Sequence, residues 1–248
     1  MILTIIKREW LRLKPSIFPL ILLSIVLPLI IYIVIGFPFH SVINTINGMK
    51  FIYWVSPGIW IFTSSLIAYI LSLDGLNNLL VYKRQIEPLC SMPITNKQIL
   101  VGVILWSILI GNLQWIISLF LTSLLNNEFF TVKLLIRLYM QSFPAIIFFS
   151  GLGILLAIIT SNKYWQISLS SIFFILYGFG FGCFIPIQYF PEEIVSIIKL
   201  SPLTILISGA HSLTFQNSGS FTGGLFSLIL GIIFLLISFG LSNKRFRI

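Results

Sequence analysis

The sequence predicts an all-α polytopic membrane protein with six transmembrane helices, and three observations carry that prediction. Charged residues occupy only 8% of 248 positions while hydrophobic ones occupy 58%, where a soluble domain carries charge at roughly a quarter of its residues. Charge-free runs recur at 15–49, 51–73, 98–127, 138–162, 164–191 and 200–243. Each is long enough for the ~20 residues that cross a ~30 Å hydrocarbon core. The cations also segregate. With the N-terminus inside and six spans following, eleven of the fifteen Lys and Arg fall on the inner side, leaving Lys50, Lys133, Arg137 and Lys199 outside. That is the positive-inside bias, which places both termini in the cytoplasm. The net charge of +9 therefore records topology, and no nucleic-acid partner is implied.

The whole chain, 1–248, reads as one transmembrane domain. Residues 1–15 form an interfacial helix: Ile2, Ile5, Ile6, Trp10 and Leu13 recur at helical spacing, with Lys7, Arg8, Arg12 and Lys14 over the remaining surface. Such a helix rests on membrane lipids with its cations toward anionic headgroups. Pro15 permits a turn into the first span, about 16–36, and a short outer loop follows over 37–57. The second span, about 58–80, carries Asp74 near its inner end with Asn77 and Asn78 three and four residues on, so the three share a helix face. They form a candidate intramembrane polar cluster, because an ionised Asp in a span is costly and is retained for a partner or a pathway. A hydrogen-bonded helix end is the plainer reading.

Residues 82–102 are the longest polar interruption, with three cations, one acid and two prolines among apolar residues at near-helical spacing. The third span covers about 98–125. The fourth, about 138–160, holds Gly151 and Gly153, which allow close helix contact. The fifth, about 165–185, ends in the glycine-rich run 178–183. The sixth covers about 221–241. Between the last two, 186–220 is too long for a hairpin turn and too apolar for a free loop. Pro191 begins a short helix there whose first turn carries Glu192 and Glu193, and Pro202 begins a second apolar piece. This segment is expected as a re-entrant or outer-surface hairpin packed on protein, which satisfies its backbone.

The chemistry that is missing from the sequence narrows the function. No GxxxxGK[ST] phosphate loop is present, and His40 and His211 stand apart without HExxH, GxSxG or a metal-spaced acidic pair. Cys90 and Cys183 fall inside the cell and inside a span, so neither a disulfide nor a metal site is expected. No cofactor is called for, and the chain is not expected to be an enzyme. Ion coupling is poorly supported too, since Asp74 stands nearly alone among intramembrane ionisable groups. A pathway without an engine needs one from elsewhere.

Several local patterns then resemble the permease subunits of ABC-2-type exporters. Ser56-Pro57-Gly58-Ile59 resembles that family's step into span two. Glu87-Pro88-Leu89-Cys90-Ser91-Met92-Pro93-Ile94 resembles its loop between spans two and three, and Pro88 departs from commoner members. Pro186-Ile187-Gln188-Tyr189-Phe190-Pro191, followed by Leu200-Ser201-Pro202-Leu203-Thr204, resembles its stretch between spans five and six. The resemblance covers nearly the whole chain and rests on the order and spacing of these motifs. It implies a prokaryotic plasma-membrane exporter made of two permease copies, homodimeric or heterodimeric, and two copies of a separate ABC ATPase subunit. It also implies a coupling helix at about 84–92, in which Arg84, Ile86, Glu87, Leu89 and Cys90 dock on that ATPase. Ile86, Leu89 and Cys90 sit at i, i+3 and i+4 and could fill a groove inside a polar rim. The alternatives are a haem-export or cytochrome-assembly permease, a vitamin-uptake factor, or a non-transporting scaffold or immunity protein.

Overall fold

A computed structural model describes residues 2–46, 48–81, 95–127, 130–216 and 222–245. The five residues expected to dock on an ATPase, Arg84, Ile86, Glu87, Leu89 and Cys90, lie outside the described residues.

The chain is an all-α polytopic membrane protein. Helix α1 (Ile2–Leu13) continues through a 3₁₀ turn at Lys14–Ser16 into α2 (Ile17–Ile31), a π-helical turn at Tyr32–Gly36, and α3 (Phe37–Val42). No break interrupts Ile2–Val42, so Pro15 is absorbed at the start of a 3₁₀ turn, where its missing N–H costs nothing. A two-residue hairpin pairs β1 (Thr45–Ile46) with β2 (Met49–Lys50) in antiparallel fashion. The turn α4 (Phe51–Trp54) follows, so the expected outer loop over 37–57 is largely structured. Helix α5 (Ser56–Val81) leads to α6 (Asn96–Asn126), α7 (Val132–Ile159), α8 (Lys163–Ile175), α9 (Glu192–Lys199), α10 (Pro202–Gln216) and α11 (Thr222–Arg245).

Local sequence explains where these helices start. Thr95 and Gln98 form a reciprocal capping box at the head of α6, and the Asn162 carboxamide accepts from the Tyr164 N–H at the head of α8. Each satisfies backbone donors that the first turn leaves free. Glu192 and Glu193 occupy the first turn of α9 and Lys199 its last, charges placed to suit the helix dipole.

Among the described residues, five helices are long and apolar enough to cross a membrane, and counting α9 and α10 as one span bent by 91° makes six. Helix α8 is not among them. It continues through a π turn at Leu176–Gly180, but Gln166, Ser168, Ser170 and Ser171 dilute its apolar character. The centre of the bundle is built by α5, α6 and α7, and α11 packs along α7 at its edge. Helices α5 and α7 meet at Gly153, where a Cβ would lie 2.7 Å from the Tyr69 carbonyl oxygen, so only glycine permits that approach. Buried hydroxyls join the helices inside this core. Trp60 Nε1 donates to Thr122 Oγ1 at 2.5 Å, and Ser107 and Ser150 share a hydrogen bond, which leaves fewer polar groups facing hydrocarbon.

The bundle has two ends. One carries α1, the last turns of α5 and α7, and the starts of α6 and α8. The other carries the hairpin, α4, α9 and the end of α10.

Candidate functional site

The α1 end gathers most of the ionisable chemistry. Ile5 and Glu9 lie one turn apart on α1, and both are buried. Ile5 fits against α6 at Gly102, where a Cβ would stand 2.6 Å from Ile5 Cγ2. The Glu9 carboxylate, fully buried, meets Arg8 and Arg12 at 2.9 Å each. Arg12 then reaches across to α5, where its Nη1 lies 3.3 Å from Asp74 Oδ2 and donates to the Asp74 carbonyl oxygen at 3.3 Å. Two carboxylates and two guanidiniums thus form one neutral clasp between α1 and α5. Glu9 lies on α1, outside the apolar run that would span a bilayer. Burial pushes its carboxyl above the usual range, while Arg12 and Arg8 pull it back down. Burial lowers Arg8, and Glu9 opposes that shift.

The polar cluster expected on α5 divides. Asn78 Nδ2 donates to Asp74 Oδ2 at 3.0 Å, so those two act together. Asn77 turns instead to α8 and exchanges hydrogen bonds with Gln166: Asn77 Nδ2 donates to Oε1 at 2.7 Å, and Gln166 Nε2 donates back at 3.1 Å. Gln166 Nε2 also donates to the Thr160 carbonyl oxygen at 2.7 Å. A second bridge joins the Tyr69 and Ser170 hydroxyls. Further along, α8 is anchored through Phe174, whose ring stands 5.1 Å from that of Tyr69 and 5.2 Å from that of Phe149.

Between the bridges and the solvent or lipid side, α5 and α8 enclose a cleft of about 560 Å³. Asp74, Asn77, Asn78, Ser161, Lys163 and Gln166 line its α1 end, and Leu66, Tyr69, Ile70, Ser170, Ser171 and Phe174 line its deeper walls. A smaller apolar slot of about 230 Å³ lies on the far side of α8, between Leu152, Leu156 and Phe173, and shares Tyr69 and Ser170 with the cleft. Helix α8 therefore has open space on both flanks.

At the other end, Pro191 precedes α9, and Glu192 and Glu193 are exposed on its first turn. Pro202 opens α10, and its carbonyl oxygen accepts from Ser227 Oγ of α11 at 3.4 Å. None of these four contacts the Asp74 cluster. His211 of α10 stacks on Trp54 with ring centroids 4.2 Å apart, beside a cavity of about 360 Å³ that Gln188, Ser208 and Ser212 also line. Among the described residues, no three His, Cys, Asp or Glu side chains gather as metal ligands would.

Sequence reasoning missed Glu9, Gln166 and Lys163 as members of this assembly. Glu9 is the one acid among the cations of α1 and lies one turn from Ile5, the signal that could have found it. Gln166 offered none beyond being a polar residue in an apolar run.

The bundle, the bent α9–α10 pair and the order of the helices invite comparison with known families. A family model described as ABC-2 type transporter matches residues 1–215. The chain belongs to the ABC-2 type transporter family. It is a transmembrane permease component of an ABC transporter, of a kind that works with an ABC ATPase in a multimeric assembly. The matched segment takes in everything from α1 almost to the end of α10, including the clasp and the cleft, while α11 of the permease lies beyond it. No curated protein matches the chain.

Proposed function

We propose that this permease is the membrane pathway of a prokaryotic exporter, paired with a second permease copy and driven by two separate ATP-binding subunits. The observation that carries the reading is α8. It has spanning reach with its π extension, yet it presents serines and a glutamine and borders a polar-ended cleft. A helix of that kind is poorly suited to lipid all round and well suited to lining a path. Exposed apolar residues elsewhere on it, such as Ile172 and Ile175, then meet lipid or the second copy.

The charge distribution supports placing the α1 end in the cytoplasm, with both termini on that side. The segment 84–92 joins α5 to α6 in the sequence, and a coupling helix there would bring Arg84, Ile86, Glu87, Leu89 and Cys90 to the ATPase. Helix α1, clasped to α5 and seated on α6, braces both of those ends. Closure of the ATPase pair would then be felt by spans one, two and three together, and α8, held more lightly, would move against them. Such a change needs contacts that differ between the two states, and the α5–α8 cleft is where they can differ.

The test is copurification of the cognate ATPase with permease carrying Ile86→Ala and Leu89→Ala. The reading expects association to fall sharply while the permease itself stays folded. Unchanged association would remove 84–92 as the coupling segment. Labelling of a cysteine placed at 199 from the cytoplasmic side would overturn the orientation.

A further inference from the structure

We propose that the α5–α8 cleft receives the cargo and that the cargo is an amphiphile with an anionic head and an apolar tail. The inference rests on the permease reading and adds the chemical class of what is carried.

The cleft has a polarity gradient along its length. Its lining on α5 runs from Leu66 to Asn78 and on α8 from Lys163 to Phe174, which at 1.5 Å per residue is about 16–18 Å of helix. Hydrogen-bonding and charged groups crowd the α1 end. The other end is walled by Leu66, Ile70 and Phe174, where the Tyr69 and Ser170 hydroxyls are paired with each other and the Ser171 hydroxyl is the further polar group. A molecule with one polar head and one extended tail matches that gradient. A compact polar solute would leave the apolar walls wet, and a wholly apolar one would strip water from Lys163 and Asp74 without replacing it. The volume of about 560 Å³ lies in the range that small-molecule sites use, roughly 300–1,000 Å³.

The sign of the head follows from which charges at the mouth are already answered. Asp74 is met by Arg12 and Asn78, and Glu9 by Arg8 and Arg12, so the clasp beside the cleft is neutral. Asn77 and Gln166 satisfy each other. Lys163 is different: among the described residues it makes no ion pair, and it is exposed at the mouth beside the Ser161 hydroxyl. Among the described residues the net charge left for a ligand is positive, and the free groups include an ammonium and hydroxyls that can donate. A carboxylate, sulfate or phosphate head takes those donors in charge-assisted hydrogen bonds. A cationic head would have to compete with Arg12 and Asn78 for Asp74, the acid that lines the cleft among the described residues.

The occupant is cargo and not a resident lipid because of how α8 is held. Two hydrogen-bonded bridges, Asn77 with Gln166 and Tyr69 with Ser170, secure it beside the cleft, and the apolar slot behind it leaves room to shift. A wall that can move aside suits a ligand that must leave.

The experiment uses the purified permease–ATPase complex in phosphocholine nanodiscs with two photoreactive probes that share one diazirine-bearing alkyl chain. One ends in a carboxylate and the other in phosphocholine. The expected result is labelling within 66–78 and 161–174 that favours the carboxylate probe by about tenfold, the scale of one hydrogen bond to a charged group. Lys163→Gln should abolish that preference without moving the label, and ATP should release the bound probe. Equal labelling by both probes, or labelling elsewhere, overturns the inference. Endogenous lipid retained in the cleft through purification and unaffected by ATP overturns the cargo assignment in favour of a structural lipid. If the ATPase fails to copurify while the isolated permease still labels in the cleft with carboxylate preference, the permease–ATPase reading falls and the site stands. If the ATPase copurifies and the cleft does not label, the reverse holds.

Discussion

Helices α1 and α8 both lean on the last turns of α5, and they are held in opposite ways. Helix α1 is fixed by charge and by fit. Its buried Glu9 holds two arginines, one of which grips Asp74, and its Ile5 occupies a seat that only Gly102 leaves open. Helix α8 is held without charge, by the neutral bridges of Asn77 with Gln166 and Tyr69 with Ser170 and by the packing of Phe174 on Tyr69 and Phe149, with open volume on either flank. Neutral hydrogen bonds have a small net worth and can be exchanged with little penalty, whereas separating a buried ion cluster leaves bare charge. On the proposed mechanism, that difference makes spans one, two and three the braced body and α8 the wall that moves against it.

Glu9→Ala should break the comparison most severely. It leaves Arg8 and Arg12 without their shared buried counter-charge, a loss of about 3–5 kcal/mol by the measure of other severed buried ion pairs. Thermal unfolding of the purified permease would register it, and α1 should become accessible to protease. If the melting temperature were unchanged, the clasp would be a decoration on a helix held by other means. Gly102→Ala is the next largest. The new methyl would meet Ile5 Cγ2 at 2.6 Å, and overpacking of that sort costs about 1–3 kcal/mol. Adding Ile5→Ala should recover part of the loss, a rescue that a general weakening of α6 would not show.

Asn77→Ala sharpens the other side. It leaves Gln166 with the Thr160 carbonyl as its remaining partner and should cost about 1 kcal/mol in stability. Hydrogen exchange should quicken across Lys163–Ile175 and not across Ile2–Leu13, because a region of low local stability opens first. Equal quickening of both helices would mean that α1 and α8 form one unit after all.

How much of this the sequence discloses depends on how far apart the partners stand. The all-helical membrane architecture is legible because the spans answer to composition over ~20 consecutive residues. Asp74, Asn77 and Asn78 stand out for the same local reason: they are polar where their neighbours are not. Their partners were hidden. Arg12 lies 62 positions from Asp74, and Gln166 lies 89 from Asn77, so no helical periodicity links them, and only the packing of α1 and α8 on α5 does. Glu9 was hidden by its neighbours. An acid among cations on an amphipathic helix looks like a solvated face, and its burial depends on Gly102, which lies in another helix and carries no polar signal. In the segment expected as the fifth span, about 165–185, the helix and its π turn run to Gly180, an end that average apolar character does not mark.

Asp74→Asn has the smallest expected effect on stability, and it tests the electrostatics of both helices at once. The Asp74 side chain is 54% exposed, and an ion pair that open to its surroundings contributes within about 1 kcal/mol. The melting temperature should therefore move little, in contrast to Glu9→Ala on the same cluster. Function should move more. An amide at 74 can keep the Asn78 contact, but it no longer balances Arg12, so the clasp gains one net positive charge where it borders the cleft. Preference for the carboxylate probe over the phosphocholine probe should then rise above that of the unaltered permease, and Lys163→Gln in the same chain should bring it back toward the starting value. If the preference fell, Asp74 would be contributing to the ligand directly, and the cleft would read a cationic or hydrogen-bond-donating head in place of an anionic one.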